Sequence, residues 1–182
     1  MTAQRGFTLI ELLVTVAVAG ILISVATPFF HDTIISSRLN TTALELADAL
    51  ALARSESITR NRTITFCRSS SADSYVCASG NHDDLWKHWL IKQNASSTVA
   101  DEADVIRRGR ISSLISNIQV TTAGITNNTL RFNTDGLVRG GSTLLSTAKI
   151  IVCAPSLPTN AARIINIGAA GHITIDKKDQ CE

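Results

Sequence analysis

This sequence of 182 residues has few prolines, a small net charge and no recognisable catalytic motif. It has only three prolines and no internal repeat or low-complexity tract, which excludes a disordered protein. The net charge of +2 is too small by itself to indicate binding to nucleic acid or to a membrane surface. The sequence has no Gly-x-Ser-x-Gly motif, no His-Glu-x-x-His motif and no glycine loop of the kind that cradles phosphates. We therefore expect no enzymatic activity and no cofactor.

Cysteine pairs at metal-binding spacing are also absent. Cys67, Cys77, Cys153 and Cys181 form no Cys-x-x-Cys pair, and the four histidines are scattered. This pattern favours disulfides over a zinc site, so no metal is expected. Three connectivities are possible, and we prefer Cys67–Cys77 with Cys153–Cys181 because each pair brackets one local loop. Disulfides in turn imply an exported domain.

A long apolar segment stands near the N-terminus. Residues 7–27 contain a single charged side chain, Glu11, and an apolar helix of about 20 residues is long enough to cross the hydrocarbon core of a membrane. Arg5 precedes this segment, and the next basic residue is Arg38. The positive-inside rule then places the N-terminus in the cytoplasm and the rest of the chain outside. The sequence thus predicts a transmembrane helix over residues 7–28.

Glu11 is unusual in such a segment, because a carboxylate near the middle of a membrane span costs about 2.5–3.5 kcal/mol. A positive charge held in the same apolar layer would offset this cost. If the chain is cut after Gly6, the new α-amine of Phe7 supplies such a charge four residues before Glu11. The pair can form within one helix or between neighbouring helices. The second arrangement would favour assembly, since both charges are neutralised only when subunits pack together.

The run Arg5-Gly6-Phe7-Thr8-Leu9-Ile10-Glu11 resembles the processing site of type IV prepilins and type II secretion pseudopilins. The resemblance implies that a prepilin peptidase removes a leader of residues 1–6 by cutting after Gly6. It also implies that Phe7 becomes the N-methylated mature N-terminus and that Glu11 guides assembly. Pro28 matches a position where many pilins have a helix-bending proline. Two other interpretations stay open, an ordinary secretory signal cut near residues 24–26 and an uncleaved anchor, although neither accounts for Gly-Phe-Thr-Leu-Ile-Glu.

The remainder of the chain changes from a helical to a strand-like pattern. Apolar residues recur at spacings of three and four from Ile35 to Ala53, which predicts that one helix continues from Phe7 to about Ile58. Beyond Arg62 the period becomes two, which predicts strands over residues 63–67, 86–91, 117–121, 129–132, 149–153, 163–167 and 172–175. We expect residues 93–104 to form an exposed loop. The fold class is therefore α+β, with residues 29–182 forming the second half of the helix and a head of antiparallel sheets.

The head resembles the GspH/FimT family of minor pilins and pseudopilins. The segments that carry the resemblance are residues 64–67, Cys77, and residues 86–91, 130–136, 151–153 and 163–173. It implies the type IV pilin fold, with a minor pilin that joins companion minor pilins to initiate or cap a pilus. The implied partners are other minor and major pilins, the prepilin peptidase and an inner-membrane assembly platform. The implied location is the inner membrane of a Gram-negative bacterium, with a periplasmic head, and then the pilus. The alternatives are a type II secretion pseudopilin or a DNA-binding minor pilin for transformation.

DNA binding is the weaker alternative. DNA-binding members of the family use a late Gly-Arg-x-Arg motif, but the matching stretch here, Gly168-Ala-Ala-Gly171-His172, lacks both arginines. Phosphate binding needs positive charge within reach. Residues 107–110 and 177–178 are basic, but such charge runs are typical of a solvated surface.

Overall fold

The computed structural model describes residues 7–78, 86–93, 102–111, 118–140 and 143–181. The chain divides into two compact units between Ile35 and Ser36. Helix α1, Leu9–Thr59, begins in the first unit and ends in the second. The predicted long helix is therefore confirmed, and Pro28 lies inside it without ending it.

Ten strands follow the helix in the described part of the chain. They are β1 Ile64–Ser69, β2 His88–Gln93, β3 Val105–Arg110, β4 Gln119–Ala123, β5 Thr129–Phe132, β6 Val138–Gly140, β7 Thr143–Leu144, β8 Thr147–Cys153, β9 Ala162–Gly168 and β10 Ile173–Lys178. They form one sheet in the order β3-β2-β1-β5-β6-β7 and a second in the order β10-β9-β8-β4. All neighbours are antiparallel. The architecture confirms the predicted α+β class.

The second half of α1 supplies one wall of the core of the head. Its buried side chains follow the predicted apolar stripe: Leu39, Ala43, Leu46, Leu50 and Ala53. The six-stranded sheet contributes Phe66, whose ring centroid lies 5.7 Å from those of Trp86 and Trp89. Each of these side chains is almost fully removed from water, and burial of a Leu or Phe side chain contributes about 1.5–3 kcal/mol.

Two hydrogen bonds join the helical part of the head to the four-stranded sheet and its turn. Arg163 on β9 donates through Nε to Oδ1 of Asn40, at 2.7 Å. Arg54 donates through Nη1 to the carbonyl of Gly171, at 3.1 Å. Gly171 has a φ of +71° and lies against Arg54 so closely that an added Cβ would be 2.7 Å from Nε. A residue with a side chain would therefore disturb this contact.

Several boundaries differ from the sequence-based expectation. Part of the expected loop over residues 93–104 is a short 3₁₀ turn, Glu102–Asp104, and the basic run after it is an edge strand, β3. The strand predicted over residues 117–121 is β4, which begins at Gln119; residue 117 lies outside the described ranges. The strand predicted over residues 86–91 is β2, which begins at His88. A membrane span was expected over residues 7–28. Among the residues described, no helix meets the length and apolarity required to cross a membrane, and the span stays a prediction.

Candidate assembly site

The start of α1 is capped by Thr8. The hydroxyl Oγ1 of Thr8 accepts the backbone N–H of Glu11, at 3.3 Å, and the Thr8 carbonyl accepts the N–H of Leu12, at 3.2 Å. Thr8 is thus the N-cap, and Glu11 is the third residue of the helix, where a carboxylate is favoured by the helix dipole. Thr-x-x-Glu is the sequence signature of a capping box. The Thr8-x-x-Glu11 signature is present in the sequence but was not used to predict where the helix begins.

The side chains that follow form an apolar surface exposed all round the helix. Phe7 is 81% exposed, and the exposed large apolar side chains continue through Leu9, Ile10, Leu12, Leu13, Val14, Val16, Val18, Ile21, Leu22 and Ile23. The hydroxyls of Thr15 and Ser24 donate to the carbonyls of Leu12 and Ile21, at 2.8 and 2.7 Å. These polar groups are therefore satisfied within the helix, as an apolar surrounding requires.

Glu11 is the one ionisable side chain on this surface between Phe7 and Ser24, and it is exposed. Phe7 lies just before the N-cap Thr8, outside helix α1, and four positions ahead of Glu11. Gly6 and the leader of residues 1–6 lie outside the described residues. An apolar surface of this extent is typical of a protein or membrane contact.

Two disulfides fix the head. Cys67 is bonded to Cys77 and Cys153 to Cys181, each with Cα atoms 5.6 Å apart. These are the pairs that the sequence analysis preferred. Cys67 lies in a small buried cluster with Cys77 and Leu90. The first disulfide therefore holds the loop after β1 against the sheet.

Arg163 is a buried cation in the head. It is 3% exposed, and burial lowers the pKa of its guanidinium. Its Nη1 donates to the carbonyls of Asn160 and Ala162, both at 2.9 Å, in addition to the bond to Asn40. The Arg163 side chain therefore links α1, β9 and the turn at Asn160. The strand pattern of the sequence did not indicate this structural role.

The basic runs named in the sequence analysis lie apart in the topology. Residues 107–110 belong to β3, at one edge of the six-stranded sheet, whereas Lys177 and Lys178 belong to β10, at an edge of the four-stranded sheet. His172 lies in the exposed turn before β10. Within the ranges that the structure describes, no three His, Cys, Asp or Glu side chains are grouped closely enough to hold a metal ion.

Comparisons with known proteins agree with this arrangement. The family model described as "Type II transport protein GspH" matches residues 42–171, and the "Prokaryotic N-terminal methylation motif" matches residues 1–27. The crystal structure of the type IV minor pilin FimU of Pseudomonas aeruginosa shares the fold. Its TM-score is 0.58 at 20% identity, over 79% of this chain and 93% of that one.

Two curated relatives are fimbrial proteins. A "Fimbrial protein" of Moraxella nonliquefaciens is 34% identical over 97 residues, which cover 53% of this chain and 60% of the relative. A "Type IV major alpha-pilin" of Moraxella bovis is 47% identical over 47 residues, which cover 26% of this chain and 30% of the relative. The chain thus spans at most 60% of the length of these relatives. Because the GspH model covers well over half of the sequence, the chain belongs to the GspH family of type IV pilin-like minor pilins and pseudopilins.

Proposed function

We propose that this chain is a minor type IV pilin that assembles with companion minor pilins to initiate or cap a pilus. In this proposal the prepilin peptidase cuts after Gly6, and Phe7 becomes the N-methylated mature N-terminus. The helix then passes from the inner membrane into the filament through the assembly platform, while the head stays on the periplasmic side. The role is structural, without catalysis.

The observation that carries the proposal is the apolar surface between Phe7 and Ser24 with a lone carboxylate on it. A passive anchor gains nothing from Glu11, because an unpaired carboxylate within a membrane span is unfavourable, by about 2.5–3.5 kcal/mol where it lies at the bilayer centre. The freed α-amine of a Phe7 residue would neutralise that charge. Pairing between neighbouring subunits would do so only upon assembly, which makes lateral association more favourable than isolation in lipid.

The head supports an extracytoplasmic location. Both disulfides need an oxidising compartment to form and persist. Arg5, ahead of the apolar segment, favours a cytoplasmic N-terminus. Together they support a single-pass topology over residues 7–28 with the head outside.

A type II secretion pseudopilin is the second candidate, and the description of the matching family model favours it. Cleavage after Gly6 and the carboxylate of Glu11 would serve a pseudopilin in the same way. The two functions differ in the assembly that they join, so a deletion strain separates them. Loss of surface pili with intact secretion would support the pilin, and lost secretion with intact pili would support the pseudopilin.

Removal of the leader, residues 1–6, should be tested before the deletion strain, because both candidate functions require it. Mass spectrometry of the membrane-extracted chain should find Phe7 as a methylated N-terminus. Substitution Gly6→Leu should retain residues 1–6. An intact leader on the native chain would contradict both candidates.

A further inference from the structure

A pocket lies on the head between the last turns of α1 and the turn that joins β9 to β10. The helix, the turn and the start of β10 all contribute to its lining, which includes Ala51, Arg54, Ser55, Ile58, His172 and Ile173. The volume of the pocket is about 440 Å³, within the range of roughly 300–1,000 Å³ that is usual for small-ligand sites. All of these residues belong to the compact unit Ser36–Glu182, so the head alone forms the pocket.

Arg54 carries the permanent positive charge of this pocket, and backbone holds it in place. Its Nη1 donates to the carbonyl of Gly171, at 3.1 Å. A Cβ on Gly171 would lie 2.7 Å from Arg54 Nε, and one on Gly136 would lie 3.4 Å from it. The turns on both sheets therefore lie close against the guanidinium. The N–H of Val138 donates to the carbonyl of Ala169, at 2.9 Å, and joins these two turns. The cation is thus fixed by the fold.

Among the described residues that line the pocket, none carries a carboxylate to balance this charge. Glu56, two positions after Arg54, pairs with Arg60. Asp135, in the turn before β6, accepts the backbone N–H of Leu137, at 2.9 Å. Arg54 is half-buried, and its Nε has no hydrogen-bond partner in the described part of the chain. An anion stabilises a partly buried cation more than a solvated one, because less water screens the pair. The pocket is therefore suited to an anionic ligand.

We propose that this pocket binds an aliphatic carboxylate. The guanidinium of Arg54 has five donors and no acceptor, and carboxylates form short, charge-assisted hydrogen bonds with such groups. The Ser55 hydroxyl and the His172 ring line the same pocket and can donate as well. A single fixed cation balances one negative charge, which favours a carboxylate over a phosphate monoester that carries nearly two.

The apolar part of the lining determines what carries the carboxylate. Ala51, Ile58 and Ile173 offer hydrocarbon surface beside the polar groups, so the body of the ligand should be aliphatic. Two sources have this chemistry, a glutamate side chain of a neighbouring subunit and a free short-chain carboxylate. The site itself goes beyond the proposed function and does not rest on it.

The test measures binding of butyrate and of its neutral isostere, butyramide, to the full chain in micelles of an uncharged detergent. Saturation-transfer NMR titrations suit weak ligands, and micelles without protein give the blank. Butyrate should bind with a dissociation constant on the order of 1 mM, because so small a ligand makes few contacts. It should bind about tenfold more tightly than butyramide, since only butyrate forms a charge-assisted hydrogen bond. Arg54→Gln should remove this difference.

A second variant keeps Arg54, because Arg54→Gln also affects the bond to Gly171. Ser55→Glu places a carboxylate in the pocket from within the chain, and should weaken butyrate binding by about tenfold or more. Ser55 is exposed, so thermal stability should not fall. The matched control is Ser37→Glu, which adds the same charge at an exposed position of the same helix outside the pocket lining. It should bind butyrate as wild type does.

Several results would overturn the proposal. Equal affinities for butyrate and butyramide would show that charge has no part in binding. Unchanged butyrate binding in Ser55→Glu would show that the ligand lies elsewhere, and an equal loss in Ser37→Glu would show a response to net charge. Tighter binding of methyl phosphate than of butyrate would overturn the choice of a carboxylate.

Incorporation into filaments distinguishes the two sources. Reduced incorporation of Ser55→Glu, with Ser37→Glu at the wild-type level, would assign the carboxylate to a neighbouring subunit. Normal incorporation of Ser55→Glu, with butyrate binding lost in micelles, would assign it to a free ligand. Both results support the site. Failure of the proposed function has a different sign, an intact leader on the wild-type chain, which does not depend on this pocket.

Discussion

Substitutions at Glu11 can separate two roles that share one side chain. As the third residue of α1, Glu11 donates its backbone N–H to Thr8 Oγ1 and occupies the acidic position of a capping-box sequence. As the lone carboxylate of the apolar surface, it is also the proposed partner of the Phe7 amine. Glutamine keeps the side-chain acceptor of the capping-box sequence but removes the charge, whereas alanine removes the side-chain acceptor and the charge and keeps only the backbone bond to Thr8. We expect Glu11→Gln to fail in assembly as severely as Glu11→Ala.

Loss of the helix cap and loss of the charge pair should differ in size. Loss of an N-cap side chain, as in Thr8→Ala, costs about 0.5–2 kcal/mol of helix stability. An ion pair at about 4 Å is worth about 4 kcal/mol at an effective dielectric constant near 20, and each 1.4 kcal/mol is a factor of ten. Glu11→Gln should therefore reduce incorporation by up to about a thousandfold, and Thr8→Ala by much less.

The assay is quantitative immunoblotting of sheared filaments against the membrane pool of the same cells. Asp48→Asn is the matched control, since it removes one carboxylate from an exposed position further along the same helix. It should leave incorporation unchanged. Normal incorporation of Glu11→Gln, together with loss in Glu11→Ala, would refute the charge-pairing argument and leave Glu11 as a helix cap only.

Two further pairs of substitutions test the packing of the structure. A Cβ on Gly109 would lie 2.1 Å from two ring atoms of Trp89, whereas one on Gly20 meets nothing within 4 Å. Gly109→Ala should lower the free energy of unfolding by about 1–3 kcal/mol in chemical denaturation, and Gly20→Ala should not lower it. Leu46 is fully buried and Leu44 is 56% exposed, so Leu46→Ala should cost about 2–5 kcal/mol and Leu44→Ala less than about 0.5. Equal losses within either pair would contradict the assigned packing.

The long helix and the central strands could be predicted because their burial is periodic. The stripe from Leu39 to Ala53 repeats every three or four residues. Strand β1 begins with the alternating run Ile64-Thr65-Phe66, and β9 contains three β-branched isoleucines, which are typical of strands. The processing motif at Gly6, Phe7 and Glu11 was likewise visible, because its residues are adjacent in sequence.

Strands β3, β6 and β7 were not predictable from the same patterns. β3 is rich in arginine and glycine, a composition that protects a sheet edge from further pairing but conceals the alternation of a strand. β6 and β7 are too short for any period to be visible.

The Cys153–Cys181 bond has a consequence for resistance of the head to proteolysis. It encloses β9 and β10 in a covalent ring that closes on the last residue of β8. The exposed turn near Pro158 lies inside this ring, so a protease that cuts there opens the backbone without releasing either piece. The nicked head would run as one chain on a nonreducing gel and as two after reduction. Damage to that turn would thus leave the subunit's two pieces joined.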